Sequence, residues 1–282
     1  MKRILLASSK RGDYLDLHLH TGFSIDVING NTFIDYMECA QQHGIVPGFL
    51  DHFQAEKLEW DGYPFGDESV GLFFEAYDNA KATGLPSFVG LEVDFYDPNQ
   101  HEDWNVKTMN WLDDHKEDFD YFVGTIHDVD DFTITIPYEL EELLKDTPFR
   151  TATAGYFTTL LAAITSSMQF SGFAHLDVIY RFCGNGGILP REEAYMRDAR
   201  TRKAIESCIS RDTVVEINLR GFDHPWNTTY PSWELLAEFM QDQPEVDSFF
   251  IGSDSHDINT FKRFIPRAKA YSDIIRGKKP FD

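Results

Sequence analysis

Short apolar runs alternate with helical stretches along this 282-residue chain, and that alternation leaves few architectures open. Runs that read as strands fall at 14–20, 45–50, 87–93, 121–126, 170–174, 213–218 and 248–253. Helical patterns lie between them, at 32–43, 69–83, 139–145, 156–168, 191–209, 232–241 and 258–275, with a weaker one at 105–118. Gly44 and Gly84 follow the first two as C-caps, and Pro148 separates the pair at 139–168. Seven strands separated by helices predict an α/β fold with a parallel sheet, open or closed into a barrel. No linker, repeat or low-complexity tract divides the chain, so residues 1–282 are read as a single domain. The polar stretch 96–118 is expected to be a surface excursion.

Hydrophobic residues at 42% and aromatics at 15% supply a substantial core and exclude global disorder. The net charge of −22 disfavours long nucleic acid, whose binding rests on neutralising phosphates. It leaves open a small phosphorylated substrate, because bound cations reverse the local field. Cys39, Cys183 and Cys208 are odd in number and form no CxxC pair, so they read as buried thiols rather than a disulfide scaffold. The start of the chain does not read as a signal peptide, and no run of about 18 apolar residues suggests a membrane span. A cytoplasmic location and no membrane partner are expected.

The histidines carry the chemistry. Six of the ten, His18, His20, His52, His127, His175 and His256, stand at or just past the C-terminal ends of predicted strands, the edge where parallel α/β folds collect their active sites. His43, His101, His115 and His224 fall in helices or loops. Residues i and i+2 of a strand share a face, so His18 pairs with His20, Asp254 with His256, and His175 with Asp177. The first and last pairs meet only if the sheet closes. Glu92 ends the third strand, where one carboxylate can bridge two metals. A lone His-x-His is a weak signal, and Ser253-Asp-Ser-His256 alone reads equally well as a helix N-cap. Six histidines with carboxylates at successive strand ends point to metal. Imidazole with carboxylate suits zinc, manganese or iron better than calcium or magnesium.

These segments resemble the motifs of the polymerase-and-histidinol-phosphatase (PHP) superfamily. Asp16-Leu-His-Leu-His-Thr-Gly-Phe-Ser-Ile-Asp26 is similar to its first motif and Phe49-Leu-Asp-His52 to its second. Gly90-Leu-Glu-Val-Asp94 and Gly124-Thr-Ile-His127 are similar to the middle motifs, and Gly172-Phe-Ala-His-Leu-Asp177 and Gly252-Ser-Asp-Ser-His256 to the last ones. The resemblance implies a distorted (β/α)7 barrel and two to three divalent metal ions (Zn, Mn or Fe). It implies His18, His20, Glu92 and Asp254 on one metal, and Glu92 bridging to a second held by His127 and His175. Asp26, His52 and His256 would hold the third. Asp26 departs from the family, which often has His at that spacing.

Within the superfamily the middle of the chain is most similar to the histidinol-phosphate phosphatase branch. That branch implies a phosphate-binding Arg181 and, through Glu216-Ile-Asn-Leu-Arg220, a polar contact from Arg220. The expected reaction is hydrolysis of a phosphomonoester, L-histidinol phosphate or a similar small ester, by a metal-bound hydroxide attacking phosphorus. Asp177 is expected to orient a ligand histidine or to assist the leaving group. Loop carboxylates Asp94, Asp128 and Asp130 are expected to form an acidic rim for a cationic substrate. Rival readings are a phosphodiesterase, a nucleotide phosphatase or exonuclease of the same superfamily, and a non-catalytic metal-binding domain. An amidohydrolase would want a metal-bridging Lys at a strand end, and none is seen.

Overall fold

The computed structural model describes residues 1–27, 30–66, 69–190, 198–242 and 246–277. Seven parallel strands form one sheet, in the order β1 (Leu15–Leu19), β2 (Val46–Phe53), β3 (Phe88–Asp94), β4 (Tyr121–Thr125), β7 (Gly172–Phe173), β8 (Val214–Asn218) and β9 (Phe249–Gly252). A two-stranded hairpin, β5 (Asp128–Val129) with β6 (Phe132–Thr133), is inserted after β4. All seven barrel strands lie where the apolar runs place them; the hairpin is too short to leave a pattern.

The sheet closes on itself at its C-terminal end. The backbone N–H of Asp254 donates to His18 O at 2.9 Å and that of His20 to Ser255 O at 3.0 Å. Below them the buried Asp16 carboxylate accepts from the Ser253 N–H at 2.9 Å. Strand β1 shifts register against β2 between Asp16 and Leu19, which is part of the barrel's distortion.

Leu15, Leu17, Leu50, Tyr121, Val123, Val214 and Phe250 come from strands only and, with Ala174 just past β7, fill the barrel. Ile4 and Leu5 of α1 (Lys2–Arg11) pack against this cluster; the helix has no side-chain N-cap, though Gly12 ends it at φ 80°, and it was not expected. A second, larger cluster joins the outer strand faces to the helices.

These helices are α2 (Phe33–His43), α3 (Val70–Lys81), α4 (Glu102–His115), α5 (Pro137–Asp146), α6 (Phe149–Thr165), α7 (Asp198–Ser210), α8 (Trp233–Asp242) and α9 (Ile258–Ile275). Local chemistry sets their ends. Thr32 and Asp35 form a capping box on α2, and Gly44 ends it at φ 60°. Pro148 caps α6 and parts it from α5. Asp257 caps α9 directly after His256, so the last helix begins where the barrel rim ends. The expectation for 191–197 lies outside the described residues. The stretch 96–118 is corrected: α4 is part of the helical layer, with Trp111 and Leu112 buried. Its buried face also holds Asn105 and Thr108, and these polar residues hide the period. Asn105 earns its place by exchanging two hydrogen bonds with the Tyr96 backbone. No described helix is long and apolar enough to cross a membrane.

Candidate metal centre

The C-terminal rim of the barrel gathers all nine side chains proposed from the sequence as metal ligands. Register explains part of this: His52 on β2 lies opposite Glu92 on β3. The barrel closure brings His18 and His20 beside Asp254, with His20 Nε2 3.4 Å from Asp254 Oδ1. His175 (φ 26°) and Asp254 (φ 52°) turn their side chains in from left-handed backbone, a conformation that costs non-glycine residues energy and clusters at functional sites.

Glu92 is the hub. Its Oε2 lies 3.3 Å from His18 Nε2, 3.6 Å from His20 Nε2 and 3.1 Å from His52 Nδ1. Its Oε1 lies 2.6 Å from His175 Nε2 and 3.6 Å from His127 Nε2. Farther out, Asp26 Oδ2 is 2.8 Å from His256 Nε2 and 3.5 Å from His52 Nε2. The His20 ring stacks against those of His256 and His52, at 4.1 and 4.4 Å.

Among the described residues, three groups have ligand atoms within 4.8 Å of one another: His18, His20 and Asp254; His20, His52 and His256; His52, Glu92 and His127. His20 and His52 belong to two groups each, so the division into three separate ligand sets is less sharp than the resemblance implies. The donor set itself, imidazole nitrogens converging on carboxylates with no lysine or arginine among them, fits divalent cations.

The charges respond to this crowding. Burial raises a carboxyl pKa, but the surrounding imidazoles, His18 and His52 foremost, outweigh it and hold Glu92 well below the carboxylate range. Burial, then His256 and His52, pull His20 down to about 3. His18 moves the other way, because Glu216, Glu92 and Asp254 outweigh its burial.

Behind the ligands stand residues whose roles the sequence did not reveal. Glu216 Oε1 is 2.6 Å from His18 Nδ1, and Glu216 Oε2 accepts from the His175 N–H at 2.9 Å. Asp94 Oδ1 is 2.6 Å from His127 Nδ1. Ser24 Oγ lies 3.0 Å from His20 Nδ1 and is held by Asp51. These contacts fix which nitrogen each ring turns inward. Gly252 makes room: a Cβ there would sit 1.9 Å from Glu216 Oε1 and 2.6 Å from His18 Cβ. The i, i+2 spacings of Glu92 with Asp94 and of Glu216 with Asn218 were the available signals.

A cavity of about 420 Å³ opens over the cluster, with Arg181 and Arg220 in its lining. Arg220 Nη1 donates to Asp223 Oδ2 at 3.1 Å. Arg181 makes no side-chain hydrogen bond or ion pair among the described residues, and its Nε is buried without a partner. Burial pulls its pKa below the usual guanidinium value.

Two expectations find no support in the geometry. Among the described residues Asp177 Oδ2 accepts from the Ser232 N–H at 3.3 Å and no ion pair joins Asp177 to a ligand histidine, while His175 Nδ1 has no partner there. The chain leaves strand geometry after Phe173 and passes through left-handed backbone at His175, so the i, i+2 rule no longer applies. The acidic rim is also absent among the described residues. Asp94 is buried behind His127, Asp128 accepts from Thr133 Oγ1, Asp130 is bound by Gln100, and none of the three lines the cavity.

Comparison with solved structures gives the same fold. A protein from Listeria monocytogenes, provisionally assigned as a histidinol phosphatase, superposes with a TM-score of 0.73 at 16% identity, covering 90% of this chain and 99% of that one. The histidinol phosphate phosphatase of Lactococcus lactis, solved with zinc, L-histidinol and phosphate, gives 0.62 at 20% identity, covering 91% and 94%. No curated protein sequence matches the chain. The model of the PHP domain family matches residues 16–220, which span five of the six motif segments; the chain belongs to the PHP domain family.

Proposed function

We propose that the protein is a metal-dependent phosphomonoester hydrolase acting on a small ester of the size of L-histidinol phosphate. Arg181 carries the reading. A largely buried guanidinium with no carboxylate partner among the described residues is costly unless an anion completes it. It stands in the same cavity lining as Glu92, His127, His175 and Asp254.

The nine residues His18, His20, Asp26, His52, Glu92, His127, His175, Asp254 and His256 would hold two to three divalent ions. Such ions supply Lewis acidity toward a phosphoryl oxygen and lower the pKa of water. The protein's own share is placement. Glu216 and Asp94 fix the rings of His18 and His127 with Nε2 facing inward. Arg181 and Arg220 offer planar donor forks to the phosphoryl oxygens, with Arg220 steadied by Asp223. Zinc is the first metal to test, since the Lactococcus lactis protein was solved with it.

The test pairs elemental analysis with a substrate panel of L-histidinol phosphate, nucleotides and a phosphodiester. Two or three metals per chain and turnover of monoesters over the diester are expected. Arg181→Ala should raise KM by about 10- to 100-fold, the size of a lost charge-assisted contact. Fewer than two metals at full occupancy, or no ester turned over, would sink the reading.

A further inference from the structure

Apart from the proposed ligands, the described ionisable residues lining the cavity are Lys57, Arg181 and Arg220, all cations. Two arginines suffice to clamp one phosphoryl group. Lys57 is left over, and its surroundings point it at something else. It ends the short helical turn Ala55–Lys57 that follows β2. Its side chain is 14% exposed, and its nearest carboxylate oxygen, Glu56 Oε1, is 3.9 Å away. That carboxylate is already engaged by Tyr96 Oη.

Lys57 Nζ donates to Gln54 Oε1, and Gln54 Nε2 donates to Asp94 Oδ2 at 2.7 Å. Asp94 is the carboxylate behind His127. Gln54, which also lines the cavity, is therefore fixed at its amide nitrogen and aims the lysine with its oxygen. An ammonium group has three donors, so the bond to Gln54 leaves others for a ligand.

We propose that Lys57 is a specificity-determining residue that receives an anionic or hydrogen-bond-accepting group on the alcohol half of the phosphate ester. This rests on the phosphomonoesterase reading and deepens it. A carboxylate on the leaving alcohol meets opposite charge at Lys57, and an ammonium meets like charge. L-histidinol phosphate carries both an ammonium and an imidazole, and it fits Lys57 only with the imidazole, an acceptor weaker than a carboxylate, turned toward this donor and the ammonium turned away.

The test uses the zinc-loaded full chain and Lys57→Met, with kcat/KM measured for phosphoglycolate and for ethanolamine phosphate. The wild-type protein should favour phosphoglycolate by about tenfold or more, the size of one partly buried charge-assisted contact. In Lys57→Met the ratio should fall to within about twofold, and Lys57→Arg should restore it. In parallel, calorimetry compares 3-phosphonopropanoate with 3-aminopropylphosphonate, which have no ester to cleave, and should show the same preference and the same loss. A ratio unchanged in Lys57→Met, or tighter binding of the ammonium analogue, overturns the proposal. A calorimetric preference without any turnover overturns the phosphatase reading and leaves the role of Lys57 standing. Turnover without a preference does the reverse.

Discussion

The deep and shallow halves of the metal centre use the same residue types in different settings. His18 and Glu92 are 0% and 1% exposed, and carboxylates back the rings of His18 and His127. Asp26, in contrast, is 48% exposed, and His256 Nδ1 sits 3.1 Å from the backbone oxygen of Asp254 and 3.5 Å from that residue's Oδ1, with no separate outer carboxylate behind it among the described residues. His52 links the halves, with Nδ1 toward Glu92 and Nε2 toward Asp26. The difference teaches that ligand identity alone does not set affinity. Burial strengthens each charge interaction, and outer partners hold the rings in place.

The largest effect should come from Glu92→Gln. Five histidines turn toward this carboxylate, so metal content of the deep half and phosphatase turnover should fall well beyond the about hundredfold expected of an outer partner. Full metal content by elemental analysis of the variant would break the comparison. Next, Glu216→Gln and Asp94→Asn should each weaken metal binding by about 10- to 100-fold in competition with a chelating dye. In the wild-type protein a limiting chelator should withdraw the ion at Asp26, His52 and His256 first. Emptying of the deep half first, followed by the spectrum of cobalt substituted into each half, would reverse the ranking.

The smallest effect extends the contrast to the arginine flank. Burial, then Arg181 and Arg220, hold His224 at about 3, below the ordinary 6.5. The unfolded chain takes up that proton near pH 6.5 and the folded one does not, so this contribution to stability is whole above pH 6.5 and is lost as pH falls toward 3. In His224→Gln the decline in unfolding midpoint from pH 6.5 to 4 should be shallower, with about one proton fewer taken up on unfolding near pH 5. An identical decline would remove His224 from the arginine flank's electrostatics.

Strand ends and the shared face of His18 and His20 were legible, because apolar runs mark strands and period two marks faces. What stayed hidden depended on distance. Glu216 and His18 are 198 residues apart and meet only because the barrel closes. Asp94 looked like a loop carboxylate because sequence does not show which neighbour a charge will have. Lys57 and Gln54 follow a strand without any period of their own, and the turn at His175 breaks the rule that joined it to Asp177.

The closure of β1 against the segment after β9 has a consequence in time as well as space. His18 and His20 leave the ribosome early, and Asp254 and His256 follow more than two hundred residues later. At 5–20 residues per second that interval is roughly 10 to 50 s. Over that interval His52, Glu92, His127 and His175 join the His-x-His pair one by one, but Asp254 and His256 are still missing. The full cluster therefore exists only once the last strand has closed the barrel.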